Sequence, residues 1–145
     1  MFKHILVPID GSKLSEKAAK QAVKLAKQLG ASLTAFHVIP KFHPSIVQME
    51  MLQMTSKEYE RARLEHAAQY LRFVERAAKA TGVACDTQHV VSDYPYKEIV
   101  KIAQKGGCDL ILMASHGRRG LEGFLLGSET QKVLTHSHVP VLVYR

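Results

Sequence analysis

Apolar and polar residues fall along this chain in alternating blocks, each with its own period. Residues 2–9, FKHILVPI, are a mostly apolar run. Such a run suits a strand of a parallel sheet covered on both faces. In the next block Leu14, Ala18, Ala22, Leu25 and Leu29 recur at helical spacing, with Ser12 placed as an N-cap and Gly30 as a stop. Residues 31–39, ASLTAFHVI, predict a second strand. Residues 40–55 carry Pro40, Pro44, Met49, Met51 and Met54 without a clear period. They predict a mobile connection with room for a helical turn, its methionines packing against the fold.

Residues 56–81 return to helical spacing, with Leu64, Ala67, Leu71, Val74 and Ala78 on one stripe and Gly82 as the stop. Residues 83–91 predict a third strand. Pro95 then opens a helix whose core face is Ile99, Val100 and Ala103, ended by Gly106 and Gly107. DLILMA, residues 109–114, predicts a fourth strand, 128–137 a short helix and 139–145 a fifth strand. Strands alternating with helices predict a single-domain α/β fold, an open parallel five-stranded sheet with helices on both faces.

In such sheets ligands bind beyond the carboxyl ends of the strands, near a reversal of strand order. The segment after the fourth strand, SHGRRGLEGFLLGSET, is the most telling. Gly117, Gly120, Gly123 and Gly127 permit backbone that a Cβ would obstruct. Arg118 and Arg119 carry planar donors suited to phosphate. Ser128, Glu129 and Thr130 stand in the first turn of a helix, whose free N–H groups attract anions. This predicts a phosphate cradle. The turn PIDGS after the first strand adds Asp10 at the same edge.

Composition narrows the choice. A chain of 145 residues, 46% hydrophobic and 23% charged, suits one soluble domain. No run approaches the ~20 apolar residues of a membrane helix, and the N-terminus reads as a strand rather than a signal peptide. A cytoplasmic location is the expectation, with no membrane partner. The net charge of +7 raises nucleic acid as a partner, but no DNA- or RNA-binding motif accompanies it. The lysines of residues 13–28 read as a solvated helix face. Cys85 and Cys108 have no zinc spacing and read as small, partly buried thiols, which a disulfide could join only if the fold brought them together. The eight histidines form no compact ligand pattern. His4, His37 and His89 fall in strands and read as structural. There is no GxxxxGK[ST], no GxGxxG and no GxSxG.

The segments MFKHILVPIDGS, LTAFHVI and DLILMASHGRRGLEGFLLGSETQKVLTHSHVPVLVYR together resemble the universal stress protein family, in its UspA-like, ATP-binding-motif subgroup. The resemblance covers nearly the whole chain, residues 1–145. It implies a Rossmann-like fold of the adenine nucleotide alpha hydrolase-like kind. That family's nucleotide-binding members carry G-x2-G-x9-G-[ST], matched here by Ala114, Gly117, Gly127 and Ser128. Alanine stands where the motif has its first glycine, adding a methyl at the cradle.

The resemblance implies a site for ATP or another adenine nucleotide, with Mg²⁺ as an optional companion. Asp10 would face the adenosine portion, flanked by Pro8 and Ile9. Val38 would wall the adenine. Gly117, Gly127, Ser128, Glu129 and Thr130 would carry the phosphates, with the Glu129 carboxylate turned away, and Met113 and Ala114 would complete the nucleotide site. It also implies a homodimer through the strand at 139–144. Asp10 could equally cap the first helix, and Gly117 and Gly127 could serve turn geometry alone.

The expected function is therefore a nucleotide-dependent regulatory switch, with an unidentified protein partner admitted. The alternatives are a slow ATPase or self-phosphorylating enzyme, and a nucleotide-free interaction module. Phosphoryl transfer needs a positioned base or water. The resemblance places Asp10, the obvious loop carboxylate, at the wrong end of the nucleotide for that task.

Overall fold

A computed structural model describes residues 1–118 and 126–145. In chain order the elements are β1 (His4–Pro8), α1 (Lys13–Leu29), β2 (Ser32–Ile39), α2 (Ile46–Leu52), α3 (Ser56–Thr81), β3 (Cys85–Val91), α4 (Pro95–Lys105), β4 (Leu110–Ala114), α5 (Ser128–His136) and β5 (Val141–Tyr144). The five strands form one parallel sheet in the order β3-β2-β1-β4-β5. The chain builds outward from β1 through β2 to β3, then returns to add β4 on the other side of β1. The strand order thus reverses between β1 and β4, and the crevice beyond their carboxyl ends is where such a sheet receives a ligand.

Both faces of the sheet are covered, which explains the continuous apolar runs. Ile5, Val7, Leu33 and Ala35 pack under α1 and α3, against Ala18, Ala22, Leu71 and Val74. The alternate residues Leu6, Phe36, Ile111 and Met113 pack on the opposite side, against Ile99, Ala103 and Val133. Leu6, Ile111 and Val133 are completely buried, so truncating the larger ones to alanine costs roughly 2–5 kcal/mol each. Cys85 packs with the first cluster and Cys108 with the second, on opposite faces of the sheet. Both are free thiols, and burial pushes each up to about 11.

Helix boundaries follow their caps. Ser12 caps α1 with its side chain, and Gly30 ends it in the left-handed region; Gly82 ends α3 in the same way. Residues 46–52 are more ordered than the expected connection. The helical turn for which there was room extends to a two-turn helix, because Ser45 and Gln48 make a reciprocal capping box, 3.1 and 3.2 Å. Met51 is 79% exposed and does not pack against the fold as expected.

Leu64 also departs from its expected place on the core stripe, at 47% exposure. A helix of 26 residues spans about 39 Å, whereas the eight-residue β2 spans about 26 Å. The leading half of α3 overshoots the sheet, and its buried residues begin at Ala67. The strand expected from residue 139 pairs from Val141, since Pro140 has no N–H to give.

Candidate functional site

The turn after β1 is organised by Asp10. One carboxylate oxygen accepts the Ser12 N–H at 2.9 Å, and Ser12 Oγ in turn accepts the Ser15 N–H at 3.1 Å. The other oxygen accepts the Arg118 N–H at 3.0 Å, tying the turn to the segment after β4. Burial acts to raise the Asp10 pKa. The hydrogen bonds from Ser12, Ser15 and Arg118 outweigh it and hold the carboxyl below its ordinary value. Asp10 is therefore ionised at neutral pH and already bears hydrogen bonds on both oxygens. The alternative reading of Asp10 as the helix cap is answered here: Ser12 is the cap, and Asp10 supports it.

The segment after β4 begins as an extension of that strand, with Ser115 N–H donating to Tyr144 O at 2.7 Å. Gly127 N–H then donates back to Ser115 O at 2.7 Å. Gly117 and Gly127 do not use the left-handed backbone; close approach is what their sites require. A Cβ on Gly117 would stand 2.2 Å from Asp10 Oδ2, and one on Gly127 3.1 Å from His116 Cα. Gly127 is the N-cap of α5 and gives it no side-chain cap. The Ser128, Glu129 and Thr130 N–H groups meet no acceptor among the described residues. Among the described residues nothing closes the positive end of α5, which lies at the carboxyl edge of the sheet beside the end of β4.

The other expected site residues divide sharply. The Ile9, Met113 and Ala114 side chains are buried in the core. The Ala114 methyl belongs to the cluster under α1 and α3, so it fills core and does not crowd a cradle. Thr130 is 3% exposed, and its hydroxyl donates to Ala114 O at 3.0 Å; it fastens α5 to β4 and is not turned toward a phosphate. Glu129 reaches to the start of α4. Its carboxylate accepts the Tyr96 N–H at 3.0 Å and so closes the start of α4, which has no side-chain cap of its own. Val38 packs with the cluster on the α4–α5 side, and Pro8 is half-buried at the end of β1. Ser128 is exposed in the first turn of α5. Arg119, Gly120 and Gly123 lie outside the described residues.

Two residues at this edge carry more than their sequence context signalled. The sequence marks His37 only as a structural strand residue. Its Nδ1 donates to Ile9 O at 2.6 Å, immediately before Asp10. Burial lowers the His37 pKa and prevails over the opposing pull of that carbonyl and Asp10. Tyr70 of α3 lies edge-on to His37, with ring centroids 5.3 Å apart. Its place three residues after Ala67 on a core stripe marks it only as a packing residue. Nothing short of the assembled sheet brings it to Gly11.

For a divalent cation, the described residues contain no group of three His, Cys, Asp or Glu side chains placed to hold one. Asp10 and Glu129 bring carboxylates to this edge, and the oxygens of both are engaged. A metal here would take most of its ligands from phosphate oxygens.

The universal stress protein family model matches residues 1–145. The chain belongs to the universal stress protein family. Universal stress protein MJ0531 of Methanocaldococcus jannaschii is 34% identical over 149 aligned positions, which take in 100% of this chain and 83% of the relative. Among solved structures, protein MJ0577 of the same organism superimposes with a TM-score of 0.80 at 31% identity, covering 99% of this chain and 95% of that one. A universal stress protein solved in complex with cAMP shares the fold at a TM-score of 0.71 and 23% identity, covering 99% and 97%. Among the described residues, no helix is long and apolar enough to cross a membrane.

Proposed function

We propose that this universal stress protein binds an adenine nucleotide, ATP or a relative of it, at the carboxyl edge between β1 and β4, and acts as a regulatory switch. The observation that carries the reading is the uncapped start of α5. Three consecutive backbone N–H groups meet no acceptor among the described residues, in the one crevice the strand order designates for ligands. Gly117 and Gly127 keep the neighbouring backbone bare of side chains. Asp10 stands across the crevice as an ionised acceptor for a ribose hydroxyl. That a protein of this fold is known with cAMP supports an adenine ligand.

The reading is of a binder rather than a catalyst of turnover. Phosphoryl transfer needs a base or a positioned nucleophile beside the reacting phosphate. The described residues offer backbone donors there, while the Asp10 carboxylate is held by Ser12 and Arg118 and the Glu129 carboxylate by Tyr96. Mg²⁺ would accompany the phosphates as their counter-ion. We further place a homodimer contact on β5, where Leu142 is 42% exposed on an edge strand whose free backbone groups need cover. β3, the other edge, exposes the polar Asp86, Thr87, Gln88 and His89 instead.

Mass spectrometry of small molecules released from freshly purified protein tests the function, followed by calorimetry with ATP and AMP. An adenine nucleotide recovered at near-stoichiometric yield, or measurable binding of one, is the expected result. Absence of both from a folded protein overturns the reading. Light scattering at micromolar concentration tests the dimer.

A further inference from the structure

The outward side of α1 is uniform in chemistry. Every exposed residue of the helix is a lysine (Lys13, Lys17, Lys20, Lys24 and Lys27) or a glutamine (Gln21 and Gln28). The lysines recur at intervals of four and three residues, which sets them in one stripe along the helix. From Lys13 to Lys27 the stripe runs about 21 Å. The acid on this helix, Glu16, is half-buried. None of the five lysines forms a salt bridge among the described residues. Lys20 lies over the Phe73 ring of the neighbouring α3, 5.6 Å from its centroid. Alongside, the exposed charges of α3 add to the same sign, with Arg72, Arg76 and Lys79 against Glu75. Lys17, Lys20 and Lys24 also rim a groove of about 260 Å³, to which Gln21 and Tyr144 bring neutral polar groups. On the other face of the sheet α4 carries Lys97, Lys101 and Lys105 at helical spacing, but there Lys101 pairs with Glu98 at 3.6 Å and Lys97 lies over the Tyr94 ring at 4.6 Å.

A face of this composition suits one class of partner. Protein–protein interfaces are depleted in lysine and draw their affinity from buried aromatic and apolar anchors, and the exposed residues of α1 include none. Nucleic-acid interfaces are polar and strongly basic, and much of their affinity comes from cations set against the phosphate backbone. One strand of a duplex presents a phosphate every ~3.4 Å along the axis, so a stripe of about 21 Å faces about six of them. We infer that the outer face of α1 is a docking surface for the phosphate backbone of a nucleic acid, held through Lys13, Lys17, Lys20, Lys24 and Lys27 without reading sequence. The absence of a DNA- or RNA-binding motif argues against base readout. It leaves backbone contact in place, which needs only cations in a suitable array.

Such contacts carry their own signature. Each phosphate neutralised weakens binding by about 3.5-fold when monovalent salt rises from about 25 to about 100 mM. Five contacts give a fall of about 500-fold over that range, and two a fall of about 12-fold.

Fluorescence anisotropy with a labelled DNA duplex of arbitrary sequence, about 20 base pairs long, follows binding over this salt range. Three proteins are compared: the unmodified chain, Lys17→Gln/Lys20→Gln/Lys24→Gln on α1, and Lys97→Gln/Lys101→Gln/Lys105→Gln, which removes the same charge from α4. Thermal melting checks that each is folded. If the α1 triple variant is not, Lys17→Gln/Lys24→Gln takes its place, with an expected fall of about 40-fold. The expected result is duplex binding by the unmodified protein, indifferent to sequence, that falls by several hundred-fold across the range. The α1 triple variant binds more weakly and falls by about tenfold, while the α4 variant matches the unmodified protein. No duplex binding by the unmodified protein at the lower salt, or equal losses in the two triple variants, overturns the inference. Binding of poly-glutamate without binding of the duplex also overturns it, in favour of an acidic protein partner.

Discussion

Two helices begin at the carboxyl edge where the strand order reverses, and they begin in opposite ways. The start of α1 carries a side-chain cap from within: Ser12 Oγ accepts the Ser15 N–H, and Asp10 accepts the Ser12 N–H. The start of α5 has a glycine cap without a side chain, and its first N–H groups meet no acceptor among the described residues. Both helices have a positive N-terminal end. Among the described residues, α1 leaves the Lys13 and Leu14 N–H groups without an acceptor, and α5 leaves all of its first three. α4 makes the contrast sharper. It too lacks a side-chain cap of its own, yet Glu129 reaches over from α5 to close it. Among the described residues, α5 is the helix with neither a side-chain cap of its own nor one lent by a neighbour.

The largest expected effect comes from filling the open start. Gly127→Val places a branched side chain at a position already 3.1 Å from His116 Cα and 3.2 Å from Ser115 O. Two or more charge-assisted hydrogen bonds to phosphate are then lost, a drop of about 100-fold or more in ATP affinity. Calorimetry on a protein whose melting shows it folded checks this, and unchanged affinity removes α5 from the site.

The capped start should respond in stability and not in binding. Ser12→Ala loses the hydroxyl that accepts the Ser15 N–H and should cost about 1 kcal/mol, measured by urea unfolding. Its ATP affinity should stay put. A parallel loss of affinity would mean that the two starts are not distinct in function.

Ala114→Gly tests which side of β4 the extra methyl occupies. The side chain is buried with the α1–α3 cluster, so the glycine variant should lose about 0.5–1 kcal/mol of stability and bind ATP as before. Tighter binding would place the methyl in the cradle after all.

The smallest effect is a pH slope. The His37 pKa is lowered on folding, chiefly by burial, so the unfolded chain takes up its proton first as pH falls. The contribution of neutral His37 is complete above its ordinary value of 6.5 and is lost as pH falls through the lowered folded value. Urea unfolding at several pH values between 7 and 5 should show stability falling, with a shallower fall in His37→Gln. Asp10 runs in the same direction further down. Its lowered pKa gives stability present above the ordinary carboxylate value and lost as pH falls through the folded one. An equal slope in both proteins would detach His37 from the capped side of the site.

Much of the fold can be read directly along the chain. The five strands, the caps Ser12, Gly30 and Gly82, and the position of Pro95 follow from local period and backbone chemistry, and all recur in the structure. The helix at 46–52 also had a local signal: the S-x-x-Q box at Ser45–Gln48 outweighed two prolines and an absent period. Of the site, the Asp10 turn and the Gly117–Gly127–Ser128 spacing stood out because phosphate recognition draws on few residue types, held at fixed separations.

What the sequence alone determined is whatever one segment can specify by itself: element type, caps, and the glycine-bearing start of α5. Only the tertiary structure decided which donors stay open and which side chains are consumed. Thr130 and Glu129 read as cradle residues until packing turns one into a fastening of α5 to β4 and the other into a cap for α4. Ala114 reads as an obstruction until the pleat of β4 directs its methyl into the core. Tyr70 and Arg118 lie far apart in the chain and meet because α3 overshoots the sheet while the segment after β4 folds down onto Asp10. Each of these outcomes depends on the direction a side chain takes relative to a second element, and that direction is fixed only when the parallel sheet has set its register and its two faces are packed.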